Sequence, residues 1–309
     1  MSGLVRLLRD KWSPPRDPTT SLAGRTILIT GANTGLGLEA AIKCAQLGCA
    51  RLVLGVRDAS TAKSEELRQT VQQRAQRKRK IATREATGDC AIDVWEVDLL
   101  DFESVRRFAE RVAGEEVEGL DAAVLNAGVS VKELKRSRHG WEETLQVNVL
   151  GTALLGMLLL PVLRKSTEMP VRDGRPPVLE IVGSSLYRHA KLGAPGEKLL
   201  ERFNRQEGFN GRKQYEVSKA LVMYAMRSLA AMNAYTGGGK DVVVMSASPG
   251  FCKSHLRRHY TGFAAKVFGW LFYALFARDT EEGARSLVSA VCLGEEAHDG
   301  FWHSDELLE

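Results

Sequence analysis

The chain has 309 residues, 44% of them hydrophobic and 26% charged, and a formal net charge of +5. These proportions exclude a wholly disordered chain, a collagen-like chain and a disulfide-dense mini-protein. The thin positive surplus makes no general case for nucleic-acid binding, and no nucleic-acid partner is expected.

Residues 1–22 read as an N-terminal arm ahead of one domain spanning residues 23–309. Leu4, Val5, Leu7 and Leu8 alternate with Arg6, Arg9 and Lys11, which predicts a short amphipathic turn pair. Pro14, Pro15 and Pro18 then end it. The arm lacks the long apolar run of a secretory signal. It is expected to pack loosely, with a membrane-surface contact as the alternative.

From Thr26 the pattern alternates. Thr26 to Ile29 and Arg51 to Leu54 read as β-rich runs, separated by helical spacing over Leu36 to Leu47. A polar helix over Thr61 to Lys80 leads to a third strand at Val94 to Val97, then a helix over Phe102 to Val112. Ala122 to Leu125, Val178 to Val182 and Val242 to Met245 supply three more strands, with helices over Trp141 to Leu163 and Tyr215 to Ala234 between them. Gly300 to Trp302 offers a short seventh. Strands alternating with helices predict an α/β, doubly wound, mostly parallel sheet of six or seven strands with helices on both faces.

Two apolar stretches bear on membrane insertion. Val147 to Leu163 and Val267 to Ala277 both fall short of the ~20 residues of a transmembrane helix. The first reads as a core helix. The second reads as a hydrophobic lid over substrate, with peripheral membrane contact as the alternative. The basic run Arg74, Arg77, Lys78, Arg79 and Lys80 reads as a solvated helix end. Cys44, Cys49, Cys90, Cys252 and Cys292 form no C-x-x-C pair and are odd in number. They predict free thiols in a reducing compartment, hence a cytoplasmic protein.

The first strand runs into Thr30-Gly31-Ala32-Asn33-Thr34-Gly35-Leu36-Gly37, and a helix follows. Such a turn lets a pyrophosphate approach the backbone at the positive end of the helix. Gly31, Asn33, Thr34, Gly35, Leu36 and Gly37 are therefore candidate cofactor contacts. At the end of the second strand, where an acid would favour NAD, the chain has Val56 followed by Arg57. A guanidinium suits a 2′-phosphate, so NADP(H) is favoured over NAD(H). The neighbouring Asp58 could neutralise Arg57 or reach the ribose itself. Asp98 ends the third strand and is placed to accept from the adenine amino group. Asn126, in Asn126-Ala127-Gly128 at the end of the fourth, completes that edge.

Tyr215 and Lys219 are four residues apart on one helix face. An ammonium beside a phenol stabilises the phenolate and makes a proton exchanger near neutrality. The ordered set of glycine turn, Asn126-Ala127-Gly128, Asn148, Ser184-Ser185, Tyr215 with Lys219, and Ser248-Pro249-Gly250 resembles the short-chain dehydrogenase/reductase family. The resemblance runs from about Gly24 to about Asp305. The stretches Arg278 to Ala284 and Gly300 to Trp302 are similar to its retinol-dehydrogenase-like branch, which includes reductases of fungal biosynthetic pathways.

The resemblance implies a single-domain Rossmann fold and hydride transfer between nicotinamide and a carbonyl or alcohol. It implies Tyr215 as general acid/base and Lys219 as ribose ligand and electrostatic partner. Ser185 would bond the substrate oxygen, with Ser184 as the alternative, and Asn148 would help hold a proton-relay water. Pro249, Gly250 and Ser254 would lie along the nicotinamide. Since the family often self-associates, a homo-oligomer through the Trp141 to Leu163 helix is compatible with this reading.

Ser185 and Tyr215 are 30 residues apart, and the intervening Leu186 to Lys213 reads as a long loop beside the site. With Phe263 to Phe276 it would wall a pocket for a lipophilic substrate such as a polyketide, terpenoid, steroid or retinoid. Cys252, His255 and His259 have a spacing compatible with metal ligation, but Arg257 and Arg258 oppose a cation and no fourth ligand is evident, so no metal is expected. A serine hydrolase is excluded by the lack of G-x-S-x-G. The alternative class is a catalytically silent cofactor-binding sensor or interaction protein on the same fold.

Overall fold

The computed structural model describes residues 3–81, 90–114, 117, 119–168, 174–193, 198–233, 242–253 and 275–308. Eight strands form one sheet in the order β3-β2-β1-β4-β5-β6-β7-β8. They are β1 (Thr26–Thr30), β2 (Arg51–Val56), β3 (Ala91–Glu96), β4 (Ala122–Leu125), β5 (Val178–Val182), β6 (Val243–Ser248), β7 (Phe301–His303) and β8 (Glu306–Leu308). All neighbours run parallel except β7 and β8. Central strands such as β1 and β5 are buried along their whole length, as expected of a parallel sheet covered on both faces.

The doubly wound expectation holds, with one strand more than the six or seven expected. β8 pairs back on β7 through Ser304 and Asp305, whose φ angles are +52° and +63°. Two consecutive left-handed residues make the tight hairpin turn that usually advertises itself with Asn-Gly. Neither residue here is glycine, so the turn leaves little trace in the sequence.

One face of the sheet is covered by α2 (Gly35–Gln46), α3 (Thr61–Ile81) and a helix over Thr280–Ala290, here α9. The other carries α4 (Phe102–Ala113), α6 (Thr152–Thr167) and α8 (Gly211–Asn233). A short turn, α5 (Glu143–Leu145), runs through a π-helical segment Gln146–Gly151 into α6. Glu143–Thr167 is long and apolar enough to cross a membrane, but Leu155, Leu159 and Leu163 are buried in the core. The chain reverses its direction of winding between β1 and β4, which opens a crevice at their carboxyl ends.

The N-terminal segment is tied down more firmly than a loose arm. At the end of α1 (Gly3–Trp12) and just beyond it, the Arg278 guanidinium donates to Asp10 O and Ser13 O, Arg285 donates to Pro15 O, and Lys43 bonds the Asp17 carboxylate. In the basic run, Arg74 pairs with Glu39 of α2 at 2.8 Å. The long loop after Ser185 contains structure of its own: a 3-10 helix Ser185–His189 and α7 (Leu199–Phe203).

Candidate active site

The glycine turn lies at the crevice. Gly31 N–H donates to Gly55 O at 2.8 Å, and Gly31 and Gly35 have φ of +67° and +61°, which side chains rarely adopt. At Gly37 a Cβ would lie 2.4 Å from Gly31 O and 2.6 Å from Asn126 Nδ2, so only glycine lets α2 start this close to β1. Thr34 is the N-cap of α2, yet its side chain makes no capping bond. The positive helix end is thus left to a ligand. Asn33 and Thr34 are exposed around it, while Leu36 is half-buried against the α2 and α9 side of the core. An uncapped helix start behind a glycine cradle fits a dinucleotide pyrophosphate.

Arg57 follows β2 at its carboxyl edge and is exposed. Asp58 does not neutralise it. The Asp58 carboxylate accepts from Lys63 Nζ and from Ser60 N, the latter at 3.0 Å. The Lys63 hydrogen bond, helped by Ser60, lowers its pKa to about 2. Asp98 lies just past β3. Its Oδ1 accepts from Leu100 N at 2.9 Å, and its own N–H donates to Ser104 Oγ.

Asn126 has a mainly architectural environment. Its Nδ2 donates to Thr30 O at 2.9 Å and Gly31 O at 3.3 Å, and Ala127 N donates to Thr30 Oγ1. It therefore sets the shape of the glycine turn from the next strand. Asn148, 2% exposed, sits in the π-helical segment. Its Oδ1 accepts from Val129 N at 2.8 Å, and its Nδ2 donates to Val129 O at 2.9 Å and Ser218 Oγ at 3.0 Å. Ser218 in turn donates to Tyr215 O. One amide thus joins the segment after β4 to the helix that carries Tyr215.

Tyr215 is half-buried on the first turns of α8. The Lys219 Nζ lies 5.8 Å from the centre of its ring and donates to Val182 O at 2.7 Å, at the end of β5. Burial lowers the Lys219 pKa to about 8. Beyond β5, the Ser184 hydroxyl accepts from Leu186 N and caps the 3-10 helix. Ser185 is the first residue of that helix, which packs on α8. The two serines thus differ: the Ser184 hydroxyl turns the chain, and Ser185 opens the helix that lies against α8.

Pro249 and Gly250 follow β6, with Gly250 at φ +75° and any Cβ there 2.8 Å from the Arg278 guanidinium. Ser254 lies outside the described residues, as do His255, His259 and residues 263–274 of the expected lid. Cys252 is buried, and desolvation pushes its thiol up to about 12, a poor state for metal ligation. Among the described residues no group of three potential ligands converges.

Two supports of the site carried no motif in the sequence. Glu142, fully buried, accepts from Thr144 N and Leu145 N at 2.9 Å, which caps α5, and from Gln214 Nε2 at 2.7 Å. Asn204, just past α7, accepts from Arg136 and Glu142 N and so fastens the long excursion after Ser185. A polar residue one position ahead of Tyr215 is the only local hint of the first.

Sequence and structure comparisons agree with this architecture. The short chain dehydrogenase family profile matches residues 25–168. The short-chain dehydrogenase/reductase phmF of Phaeosphaeria nodorum is 39% identical over 306 residues, covering 98% of this chain and 84% of its own. Among solved structures, the RhlG/NADP active-site complex of Pseudomonas aeruginosa aligns with TM-score 0.58 at 24% identity, over 90% of this chain and 95% of that one. The 3-oxoacyl-[acyl-carrier protein] reductase of Brucella melitensis in complex with NAD aligns with TM-score 0.64 at 17% identity, over 92% and 97% of the two chains. The chain belongs to the short-chain dehydrogenase/reductase family and is an oxidoreductase built on a nicotinamide-cofactor fold.

Proposed function

We propose that the protein is an NADP(H)-dependent reductase or dehydrogenase acting on the carbonyl or alcohol of a lipophilic substrate. The observation that carries the reaction is the placement of Lys219. Its Nζ is held by Val182 O within 5.8 Å of the Tyr215 ring centre, at the carboxyl edge of the sheet. A bound nicotinamide would supply or accept the hydride. In the reducing direction Tyr215 Oη gives its proton to the substrate oxygen as charge develops there. The Lys219 ammonium stabilises the phenolate that remains. The Ser185 hydroxyl donates to the same oxygen and fixes the carbonyl in line. Asn148 acts through Val129 and Ser218 to hold the supporting backbone.

The cofactor preference rests on Arg57. It stands at the edge of β2 with its acidic neighbour engaged by Lys63 and Ser60, which supports reading it as the ligand of a 2′-phosphate. Gly31, Gly35 and Gly37 would seat the pyrophosphate, and Asp98 the adenine.

Tyr215→Phe tests the catalytic reading. The variant retains NADPH binding by fluorescence titration and loses turnover of a lipophilic ketone by about 10²–10⁴-fold, the usual weight of a general acid. Wild-type turnover in that variant would sink the assignment. A purified wild type that binds NADPH but turns over no carbonyl or alcohol in a broad screen would favour the sensor instead.

A further inference from the structure

Away from the cofactor crevice, the described residues bring two sulfur atoms together. Cys49 Sγ lies 3.3 Å from Cys90 Sγ. Cys49 is buried just ahead of β2, and Cys90 is half-buried just ahead of β3. The backbone sets this meeting. β2 and β3 are parallel with Arg51 opposite Ala91, and Ala91 N donates to Ala50 O at 2.9 Å. The positions beside both cysteines are therefore in hydrogen-bonded register. Among the described residues β3 is also the outermost strand at its end of the sheet, paired with β2 on one side. Such edges open and mispair more readily than central strands.

We propose that Cys49 and Cys90 form a reversible intrachain disulfide that fastens edge strand β3 to β2, with an oxidised low-molecular-weight disulfide as the oxidant. Taking glutathione disulfide as that oxidant, half-buried Cys90 reacts first. Its thiolate attacks one sulfur, breaks the S–S bond and expels one glutathione thiolate, leaving a mixed disulfide on Cys90. The Cys49 thiolate then attacks the Cys90 sulfur, forms the Cys49–Cys90 bond and expels the second glutathione. The two thiol protons end on the two glutathione thiolates. The cysteine pair loses two electrons, and glutathione disulfide gains them.

Cys44 is the competing thiol. It is fully buried on α2, where desolvation holds it protonated, so exchange runs through the half-buried Cys90 and its immediate neighbour. The crosslink lies at the amino ends of β2 and β3, whereas Arg57 and Asp98 lie at the carboxyl ends. Oxidation therefore leaves cofactor affinity unchanged. It closes a loop containing β2 and α3, which restricts the unfolded chain and raises thermal stability.

The test equilibrates the full-length protein in mixtures of reduced and oxidised glutathione, blocks remaining thiols and maps peptides without reduction. The expected result is one peptide pair joining Cys49 to Cys90, an intact mass lower by two hydrogens, reversal by dithiothreitol and a melting temperature raised by several degrees. Cys44→Ser retains the crosslink and the thermal shift; Cys49→Ser and Cys90→Ser lose both. Cys49 and Cys90 both remaining alkylatable after oxidation would overturn the proposal. So would a glutathione adduct on Cys90 that never resolves, or pairing of either cysteine with Cys44.

Discussion

Gln214 Nε2 donates to Glu142 Oε2 across 2.7 Å, so the residue before Tyr215 is bonded to the cap of the helix turn leading to Asn148. Both partners are buried. The start of α8 is thereby bonded to the start of the helix run that carries Asn148, as it also is through Asn148 and Ser218.

Gln214→Leu removes that bond, together with the one from Gln214 Nε2 to Phe203 O at 2.8 Å, and leaves the Glu142 carboxylate with the two capping N–H groups. The expected cost is about 1.5–3 kcal/mol of stability, the usual range for a hydrogen bond to a charged group. Because Tyr215 loses its register, kcat falls by about tenfold or more, in keeping with the sensitivity of proton transfer to small displacements. Cofactor affinity stays unchanged. Calorimetry, steady-state kinetics and a cofactor titration separate these effects: lost stability with normal kcat would reduce the pair to a purely structural role.

Arg57→Ala is expected to weaken NADPH binding by about 10–100-fold, matching the ~1.5–3 kcal/mol of a charge-assisted hydrogen bond. NADH, which lacks the phosphate, binds both proteins alike. Dissociation constants for the two coenzymes check this directly. An equal loss for both coenzymes, or a wild type that prefers NADH, would contradict the assignment.

Burial brings Lys219 down from its ordinary 10.5 to about 8. Below that pH the amine is charged and supports the Tyr215 phenolate; above it the support is withdrawn. The pH profile of kcat/KM for carbonyl reduction should therefore fall above an inflection near pH 8 in the free enzyme. Lys219→Met removes this limb along with most of the activity. A flat profile to pH 10, about the unperturbed range of lysine, would argue against the role.

Glu180 lies in the middle of β5, fully buried, and neither carboxyl oxygen has a hydrogen-bond partner among the described residues. Desolvation raises its pKa well above the ordinary carboxyl value. The folded protein thus keeps a proton that the unfolded chain releases, so stability falls as pH rises from the unfolded carboxyl pKa, near 4.5, toward the raised folded value. Glu180→Met abolishes that dependence. Its melting temperature should exceed the wild type's by a margin that grows with pH across this window. A margin that shrinks with rising pH would show that Glu180 is ionised in the folded state and held by a compensating charge.

Local chemistry carried most of the site. The glycine turn sits where a strand meets a helix, and Tyr215 and Lys219 share a helix face, so both follow from spacing along the chain. Asn126 was also visible, but as a cofactor contact; its bonds to Thr30 and Gly31 come from an adjacent strand almost a hundred residues away. The same distance problem hid Glu142 with Gln214 and Cys49 with Cys90. Each pair is made by sheet order and helix packing, and no short window contains both members. The β7–β8 hairpin was hidden for a different reason, since Ser304 and Asp305 adopt a conformation usually signalled by glycine or asparagine.

Arg278 has a consequence for how this enzyme can diversify. Cys252 and Arg278 face each other in a parallel bridge, with Lys253 N bonded to Arg278 O and Arg278 N to Phe251 O. The same guanidinium reaches Asp10 O, Ser13 O and Ser304 Oγ. Entry to and exit from residues 254–277 are thus stitched together at one point and braced by both chain termini. A replacement of any length that keeps Ser254, the expected nicotinamide contact, would begin and end at the same place in the fold. Its two boundaries, at Cys252 and Arg278, mark where a chimera should be spliced.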